Sequence, residues 1–130
     1  MANKTYDLLL EVAKNVAVTS STSTTGVNIK GLNIGSASYV AVISNSAVTG
    51  TVDASNYYNC ILEASSAVGG PYVQIGRPIL FAATAGCTQI GFTSEQLNSL
   101  VSGANFFRIN VTKVGTTATG VTVSAFLSRI

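Results

Sequence analysis

Apolar and polar residues alternate along several segments of the chain, which is the period of a β-strand with one buried face. One such segment is CILEA, residues 60–64, and another is YVQI, residues 72–75. The stretch between them contains GGP at residues 69–71, a combination typical of tight turns. The pattern therefore predicts a β-hairpin, with Cys60 on the apolar side of its first strand.

Two further alternating segments lie near the C-terminus. In residues 106–114 three apolar side chains fall on one side of the predicted strand: Phe107, Ile109 and Val111. Residues 120–128 alternate in the same way, with valine, alanine and leucine on one side and threonine and serine mostly on the other. Because residues 115–120, GTTATG, form a turn-like spacer, the sequence predicts that these two strands pair as a hairpin.

Other segments allow more than one interpretation. Residues 5–18 place apolar side chains at a helical spacing, but they are equally compatible with an edge strand that continues from an extended arm. We favour the strand because the rest of the chain has strand periodicity. Residues 26–35 alternate and then change phase near Gly31, which indicates a β-bulge.

One short helix is predicted after residue 93. Thr93 and Gln96 have the spacing of a capping box, in which each side chain bonds the other residue's backbone N–H. Three apolar residues then follow at the spacing of one helix face: Leu97, Leu100 and Val101. Gly103 is predicted to occupy the C′ position that ends the helix.

Taken together, these segments predict about eight short strands and one helix in a chain of 130 residues. The fold class is therefore all-β. We expect a single domain over residues 1–130, a β-sandwich of the jelly-roll type with an N-terminal lead-in segment.

Charge narrows the range of partners. Charged residues make up 9% of the chain and the net charge is +2, whereas about 25% charged residues is usual. Nucleic acid is therefore not an expected partner, because phosphate binding needs clustered lysine and arginine. A membrane is not expected either, since the longest apolar run, residues 79–83, is far shorter than the roughly 20 residues of a spanning helix.

Reactive side chains are few. The chain has no histidine, which removes the usual base of serine and cysteine nucleophiles and the commonest zinc ligand. The five carboxylates are well separated along the sequence: Asp7, Glu11, Asp53, Glu63 and Glu95. We therefore expect no catalytic site, no cofactor and no metal, and a protein that is not an enzyme.

The two cysteines and the paired tyrosines are interpreted as structural. A disulfide between Cys60 and Cys87 is open on sequence alone, and the preferred interpretation is two buried, reduced thiols. Tyr57 and Tyr58 are neighbours in a predicted strand and must point to opposite faces. One of them is expected in the core and the other at the rim.

Three segments resemble the small jelly-roll cement, or decoration, proteins of tailed bacteriophage heads: residues 6–29, 61–76 and 106–130. The second segment has a strand that ends in Ser65, a glycine turn at residues 69–70 and an aromatic residue at Tyr72. The third has an aromatic–arginine strand, a glycine and threonine turn, and a final strand with alanine: Phe107, Arg108, residues 115–120 and Ala125.

The resemblance implies a non-enzymatic structural protein of the virion, assembled in the host cytoplasm and bound to the outer surface of an icosahedral capsid. Its partners would be the major capsid protein and further copies of itself, as a homodimer or homotrimer that bridges capsid subunits. The alternative is an adhesin or a glycan- or receptor-binding β-sandwich module, of the kind found in tail fibres or pili.

Phe106 and Arg108 are the predicted interface residues. Both fall on the outward side of their strand, and arginine and aromatic residues are enriched at interfaces where other charges are depleted. The competing interpretation of Arg108 is an ordinary solvated residue of a strand.

Overall fold

The computed structural model describes residues 10–29, 32 and 37–129. Ten strands and one helix lie in these residues, in this order: β1 Glu11–Val18, β2 Thr22–Ser23, β3 Val27–Asn28, β4 Ser38–Asn45, β5 Thr49–Gly50, β6 Tyr57–Ser65, β7 Val73–Leu80, β8 Gly86–Thr93, α1 Ser94–Leu100, β9 Phe106–Val114 and β10 Ala118–Arg129.

The strands form two antiparallel sheets. Sheet A has the order β1-β10-β4-β8, with β5 also paired to β10, and sheet B has the order β2-β9-β6-β7, with β3 also paired to β9. The chain passes repeatedly from one sheet to the other, in the strand order of a jelly roll. The predicted all-β sandwich with one short helix is therefore confirmed.

The core lies between the two sheets and is built from the alternation seen in the sequence. Strand β6 contributes four fully buried side chains, Tyr58, Cys60, Leu62 and Ala64, and β9 contributes Phe107, Ile109 and Val111. Sheet A closes the core from the other side, with Ala41, Ile43, Val123 and Leu127 among its fully or almost fully buried residues. The opposite side chains of β6 and β9 consequently form an outward face.

The first predicted hairpin is confirmed. Strands β6 and β7 pair antiparallel, with Leu62 opposite Ile75 and Ala64 opposite Val73. The turn between the two strands contains residues 69–71, as the glycines and the proline indicated. Local turn chemistry was sufficient here, because the two strands are neighbours in the same sheet.

The second predicted hairpin is wrong. Strand β9 pairs with β6 in sheet B, whereas β10 pairs with β1 and β4 in sheet A. The connection through residues 115–117 therefore crosses from one sheet to the other. Alternation shows which side of each strand is buried, and two strands that face each other across a sandwich satisfy it as well as two paired strands do.

The N-terminal strand is confirmed from residue 11 onward. Among the described strands, β1 pairs only with β10 and lies at the edge of sheet A. Residues 5–9 of the predicted segment lie outside the described residues. The predicted bulge near Gly31 also lies outside them, and of that segment β3 covers Val27–Asn28.

The helix begins as predicted and ends earlier than predicted. The capping box is present: Thr93 Oγ1 accepts from the backbone N–H of Gln96 at 3.1 Å, and Gln96 Oε1 accepts from that of Thr93 at 3.0 Å. The C-cap is Val101, so Gly103 follows it by two residues and is not at C′. Among the described residues, no helix has the length and apolar character needed to cross a membrane.

The predicted apolar face of the helix is only partly correct. Leu97 is fully buried and Val101 packs against the core, but Leu100 is 51% exposed. A helix of two turns that rests on strand edges buries one narrow stripe, and the i, i+4 pair of Leu97 and Val101 fills it. Leu100 lies beside that stripe and faces outward.

Candidate interaction surface

The two predicted interface residues lie on the outer face of sheet B. We define this face by the outward side chains of its two central strands: Tyr57, Asn59, Ile61 and Glu63 from β6, and Phe106, Arg108, Asn110 and Thr112 from β9. Phe106 and Arg108 are both half-buried, while their neighbour Phe107 is fully buried on the other side. The predicted outward direction of both side chains is therefore confirmed.

Arg108 forms an ion pair across the sheet. It lies directly opposite Glu63 in the antiparallel register of β9 and β6. Arg108 Nε lies 2.8 Å from Glu63 Oε1, and the two side chains are 26% and 13% exposed. Residues directly opposite in an antiparallel pair have Cβ atoms about 5 Å apart, so their side chains meet with little loss of freedom. Arg108 is thus ion-paired and partly buried, and its place in an interface stays a prediction.

Tyr72 covers the guanidinium of Arg108. The Arg108 Cζ atom lies 3.9 Å from the centroid of the Tyr72 ring, the geometry of a cation–π contact. The Tyr72 hydroxyl in turn donates to the carbonyl of Val68 at 2.7 Å, which fixes the ring against the turn between β6 and β7. We call Arg108, Glu63 and Tyr72 the Arg108 cluster.

Gly26, between β2 and β3, makes room for this arrangement. A Cβ atom at position 26 would collide with the Tyr72 hydroxyl oxygen. The ring of Tyr72 therefore lies across the outer face of sheet B, and its hydroxyl packs directly against the Gly26 backbone. Any larger residue at position 26 would displace Tyr72 and remove the cover from Arg108.

Most of the guanidinium's donors have no partner among the described residues. A guanidinium has five N–H donors, and among the described residues the one acceptor that Arg108 meets is Glu63, at Nε. The Nη atoms have no acceptor within the described part of the protein. The cluster therefore presents oriented donors beside an ion pair with no net charge.

The surroundings of the cluster are mixed. Half-buried Phe106 and Ile61 are its apolar neighbours, whereas Gln74 lies opposite Glu63 and Asn110 lies opposite Ile61. The Asn59 Oδ1 atom is shielded from solvent, and no residue in the described ranges donates to it. An outer face with aromatic residues, an arginine and one neutralised ion pair has the composition of a contact surface.

The paired tyrosines divide as predicted. Tyr58 is fully buried, and its hydroxyl donates to the carbonyl of Thr19 at 3.1 Å. Burial raises the pKa of the Tyr58 hydroxyl. Tyr57 points the other way and is half-buried on the outer face of sheet B.

The two thiols differ from each other. Both cysteines are free, and the predicted burial is confirmed for Cys60 but wrong for Cys87, which is exposed near the start of β8. Burial raises the pKa of the Cys60 thiol from 9.0 to about 12. Cys87 was assigned to the interior by analogy with Cys60, yet it occupies an edge strand at the end of the sandwich.

A groove opens at one edge of the sandwich, where β7 of sheet B lies next to β8 of sheet A. It has a volume of about 560 Å³ and lies between the edge strands β7 and β8 and the helix. Its lining is mixed: Ile75, Gly76, Gly91 and Phe92 from the strands, and Glu95, Gln96, Ser99 and Leu100 from the helix. Within the described residues no three histidine, cysteine or acidic side chains come together as metal ligands.

Sequence reasoning placed Arg108 correctly but missed Glu63 and Tyr72. Glu63 was recognisable as an outward residue of its own strand, although nothing local connects it to a residue 45 positions later. Tyr72 follows the turn of the predicted β6–β7 hairpin, and the direction of its ring depends on Gly26.

The chain matches no protein-family model, and no curated protein is similar to it in sequence at a significant level.

Proposed function

We propose that this protein is a structural component of a virus particle. It binds the outer surface of an icosahedral phage head and bridges capsid subunits, so that the head withstands stress better. The observation that carries the proposal is the outer face of sheet B, where the Arg108 cluster lies beside half-buried Phe106 and Ile61. Interface centres are poor in free charge and rich in aromatic residues and arginine, and this face has that composition.

The fold supports the proposal through the resemblance to jelly-roll decoration proteins. One of the three resembling segments contains β9, and another contains residues 61–65 of β6, so both include part of the outer face. The proposed role needs a rigid scaffold that presents a surface, and it includes no catalysis, cofactor or nucleic-acid ligand. Because one head carries many copies, each copy needs only a modest affinity for the capsid. A copy that bridges two capsid subunits binds more tightly, because the first contact raises the effective concentration for the second.

Self-association is part of the proposal, and β8 supports it. The other described edges are protected: β7 contains Arg77 and Pro78, β1 has two register shifts, and β2 and β3 have two residues each. Strand β8 instead pairs with β4 over eight consecutive residues and contains neither proline nor a charged residue. Such an edge is a template for another strand, and the occupant we propose is β8 of a second copy.

The substitution Gln89→Lys tests this contact. In a two-fold antiparallel pair of β8 strands, the central exposed residue of each copy lies near its counterpart, so two lysines repel each other. Sedimentation velocity should show a smaller species for Gln89→Lys and the unchanged oligomer for Gln74→Lys, a matched change on β7. If Gln89→Lys forms the same oligomer as the unmodified protein, the contact between copies lies elsewhere. If the unmodified protein is a monomer, the proposed self-association is wrong.

The second candidate function is glycan or receptor binding. The groove between β7, β8 and α1 favours it, because its volume of about 560 Å³ lies in the range of small-ligand sites. Phe92 gives the groove an apolar wall, and Glu95 and Gln96 give it hydrogen-bonding groups. An adhesin would use this groove, whereas a decoration protein would use the outer face of sheet B.

The deciding experiment uses heads of the virus that produces this chain, prepared without it. The purified protein is mixed with these heads, the heads are sedimented, and the bound copies are counted over a range of concentrations. We expect saturable binding and heads that withstand heat or low salt better. No binding to such heads, together with binding to a glycan array that a Glu95→Ala change abolishes, would replace this proposal by the second.

A further inference from the structure

We propose that Arg108 binds a neutral carbonyl oxygen of the capsid protein, from its backbone or from an asparagine or glutamine side chain. This inference rests on the proposed function and adds the chemistry of the contact. It follows from the Arg108 cluster, in which oriented Nη donors that meet no acceptor among the described residues lie next to a carboxylate.

The guanidinium is held in place before any partner arrives. Glu63 binds Nε, and Tyr72 covers one face of the guanidinium plane. Tyr72 is itself fixed by its bond to the Val68 carbonyl and by its close approach to Gly26. A donor that is already oriented loses little freedom when it binds, so more of the contact energy remains as affinity.

The charge of the cluster favours a neutral acceptor. Glu63 cancels the net charge of Arg108. A carboxylate placed at the Nη atoms would therefore gain less than at an unpaired arginine, because Glu63 repels it while the guanidinium attracts it. A carbonyl oxygen accepts from the Nη atoms without this repulsion. The contact is therefore expected to depend little on ionic strength, unlike a contact between opposite charges.

The two apolar neighbours of Arg108 also favour contact with a carbonyl group of the capsid protein. Phe106 and Ile61 are half-buried on either side of Arg108 along the outer face of sheet B. When a protein surface covers them, water leaves the Nη atoms and each hydrogen bond to them gains strength. Energetically important arginines commonly lie inside such a ring of less important contacts.

The main test compares Arg108→Lys with Arg77→Lys on heads prepared without the protein. Lysine keeps the charge but has no planar guanidinium and no Nη pair. Arg77 is exposed on β7 of the same sheet and forms no ion pair with any described residue. We expect Arg108→Lys to weaken head binding by about tenfold, on the scale of a moderate hot spot, and Arg77→Lys to leave it unchanged.

The substitution Glu63→Gln separates a carbonyl from a carboxylate partner. With a carbonyl, binding stays equal or weakens, because the guanidinium loses its positioning partner and no repulsion is relieved. With a carboxylate, Glu63→Gln binds more tightly, and raising the salt from 50 to 300 mM weakens binding strongly. Melting temperatures are measured for each variant, and Glu63→Gln provides the test if Arg108→Lys does not fold.

The outcomes distinguish this inference from the proposed function. If the unmodified protein binds heads but Arg108→Lys binds equally well, the inference is wrong and the proposed function stands. If Glu63→Gln binds more tightly, the partner is a carboxylate and the inference is again wrong. If the unmodified protein does not bind heads at all, both fall together.

Discussion

The side-chain oxygen of Asn56 accepts the backbone N–H of Thr116 at 2.9 Å, and so joins the loop before β6 to the connection between β9 and β10. The same oxygen accepts from Thr117 at 3.1 Å, and the Asn56 amide donates to Asp53 Oδ1 at 2.9 Å. This one side chain therefore fixes the path along which the chain crosses from sheet B to sheet A.

Replacing Asn56 with alanine should destabilise the protein by about 2 kcal/mol, because it removes three hydrogen bonds worth about 0.5–1.5 kcal/mol each. Urea unfolding measures the change. The matched control is Asn45→Ala, which removes a single bond to the adjacent carbonyl of Ser46 and should cost less than about 1 kcal/mol. Equal costs for the two variants would contradict a special role for Asn56.

The same variant has a second readout. Hydrogen bonds lower the pKa of Asp53, and the bond from Asn56 is the largest cause. In Asn56→Ala the pKa of Asp53 should therefore rise toward its ordinary value of 3.8. An NMR titration of the carboxylates measures this shift, and an unchanged Asp53 would show that the bond does not persist in solution.

Gly115 precedes the two amides that Asn56 accepts, and we expect that no other residue fits its position. Its φ is +80°, and a Cβ atom there would collide with Asn56 Oδ1 and with the backbone carbonyl of Ser55. Gly115→Ala should therefore destabilise the protein by about 2 kcal/mol or more. Thermal or urea unfolding measures the cost.

Gly69 provides the control for Gly115. An added Cβ at Gly69 would meet nothing within 4 Å, and no positive φ occurs there. Gly69→Ala should change stability by no more than about 0.5 kcal/mol. If both alanine variants were equally stable, the crowding around Gly115 would not be the reason for its glycine.

These contacts explain why one hairpin was predictable and the other was not. The β6–β7 turn is determined by residues within it, and the sequence shows them directly. The path from β9 to β10 depends on Asn56, which lies 60 residues before Thr116. Local alternation cannot contain that information, so the sequence alone could not distinguish a hairpin from a crossover.

The same limit applies to the candidate site. Alternation along β9 was enough to place Arg108 on the outward face. Its pairing with Glu63 depends on the register between β6 and β9, and its cover by Tyr72 depends on Gly26 on a third segment. The local pattern of one sequence gives no access to either relationship, whereas the burial of Cys60 follows from the alternation of its own strand.

The two cysteines should differ sharply in reactivity. In the native protein, exposed Cys87 should react rapidly with one equivalent of a thiol reagent. Cys60 should react with a second equivalent only when the protein unfolds, because it is fully buried. Reaction with a colorimetric disulfide reagent measures both phases. A Cys87→Ser variant should lose the rapid phase, and a rapid phase that persists would mean that Cys60 is accessible.

Cys60 also predicts a dependence of stability on alkaline pH. Above pH 9 the unfolded chain ionises this thiol, whereas the folded protein retains the proton until about pH 12 because burial raises the pKa of Cys60. The free energy of unfolding therefore falls by about 1.4 kcal/mol per pH unit over this window from this group alone. In Cys60→Ala that part of the slope should be absent, as urea unfolding at several pH values would show.

The last prediction concerns Asn15 in β1, which has a positive φ of 47° and lies where the register against β10 shifts. Its backbone N–H donates to Ser124 Oγ at 2.9 Å, a bond that any residue other than proline can make, and its Oδ1 accepts from the same hydroxyl at 3.3 Å. Glycine adopts this backbone conformation without strain and β-branched residues resist it. Asn15→Gly loses only the exposed side-chain bond and should stay within about 1 kcal/mol of the unmodified protein, and Asn15→Val should lose about 1–3 kcal/mol. The control is Val16→Thr at the next residue of the strand. It keeps a β-branched residue at a position with ordinary φ, so it should not cause the backbone strain expected of Asn15→Val. Thermal unfolding of the three variants decides the matter, and a stable Asn15→Val protein would mean that β1 continues past residue 15 without this local left-handed conformation.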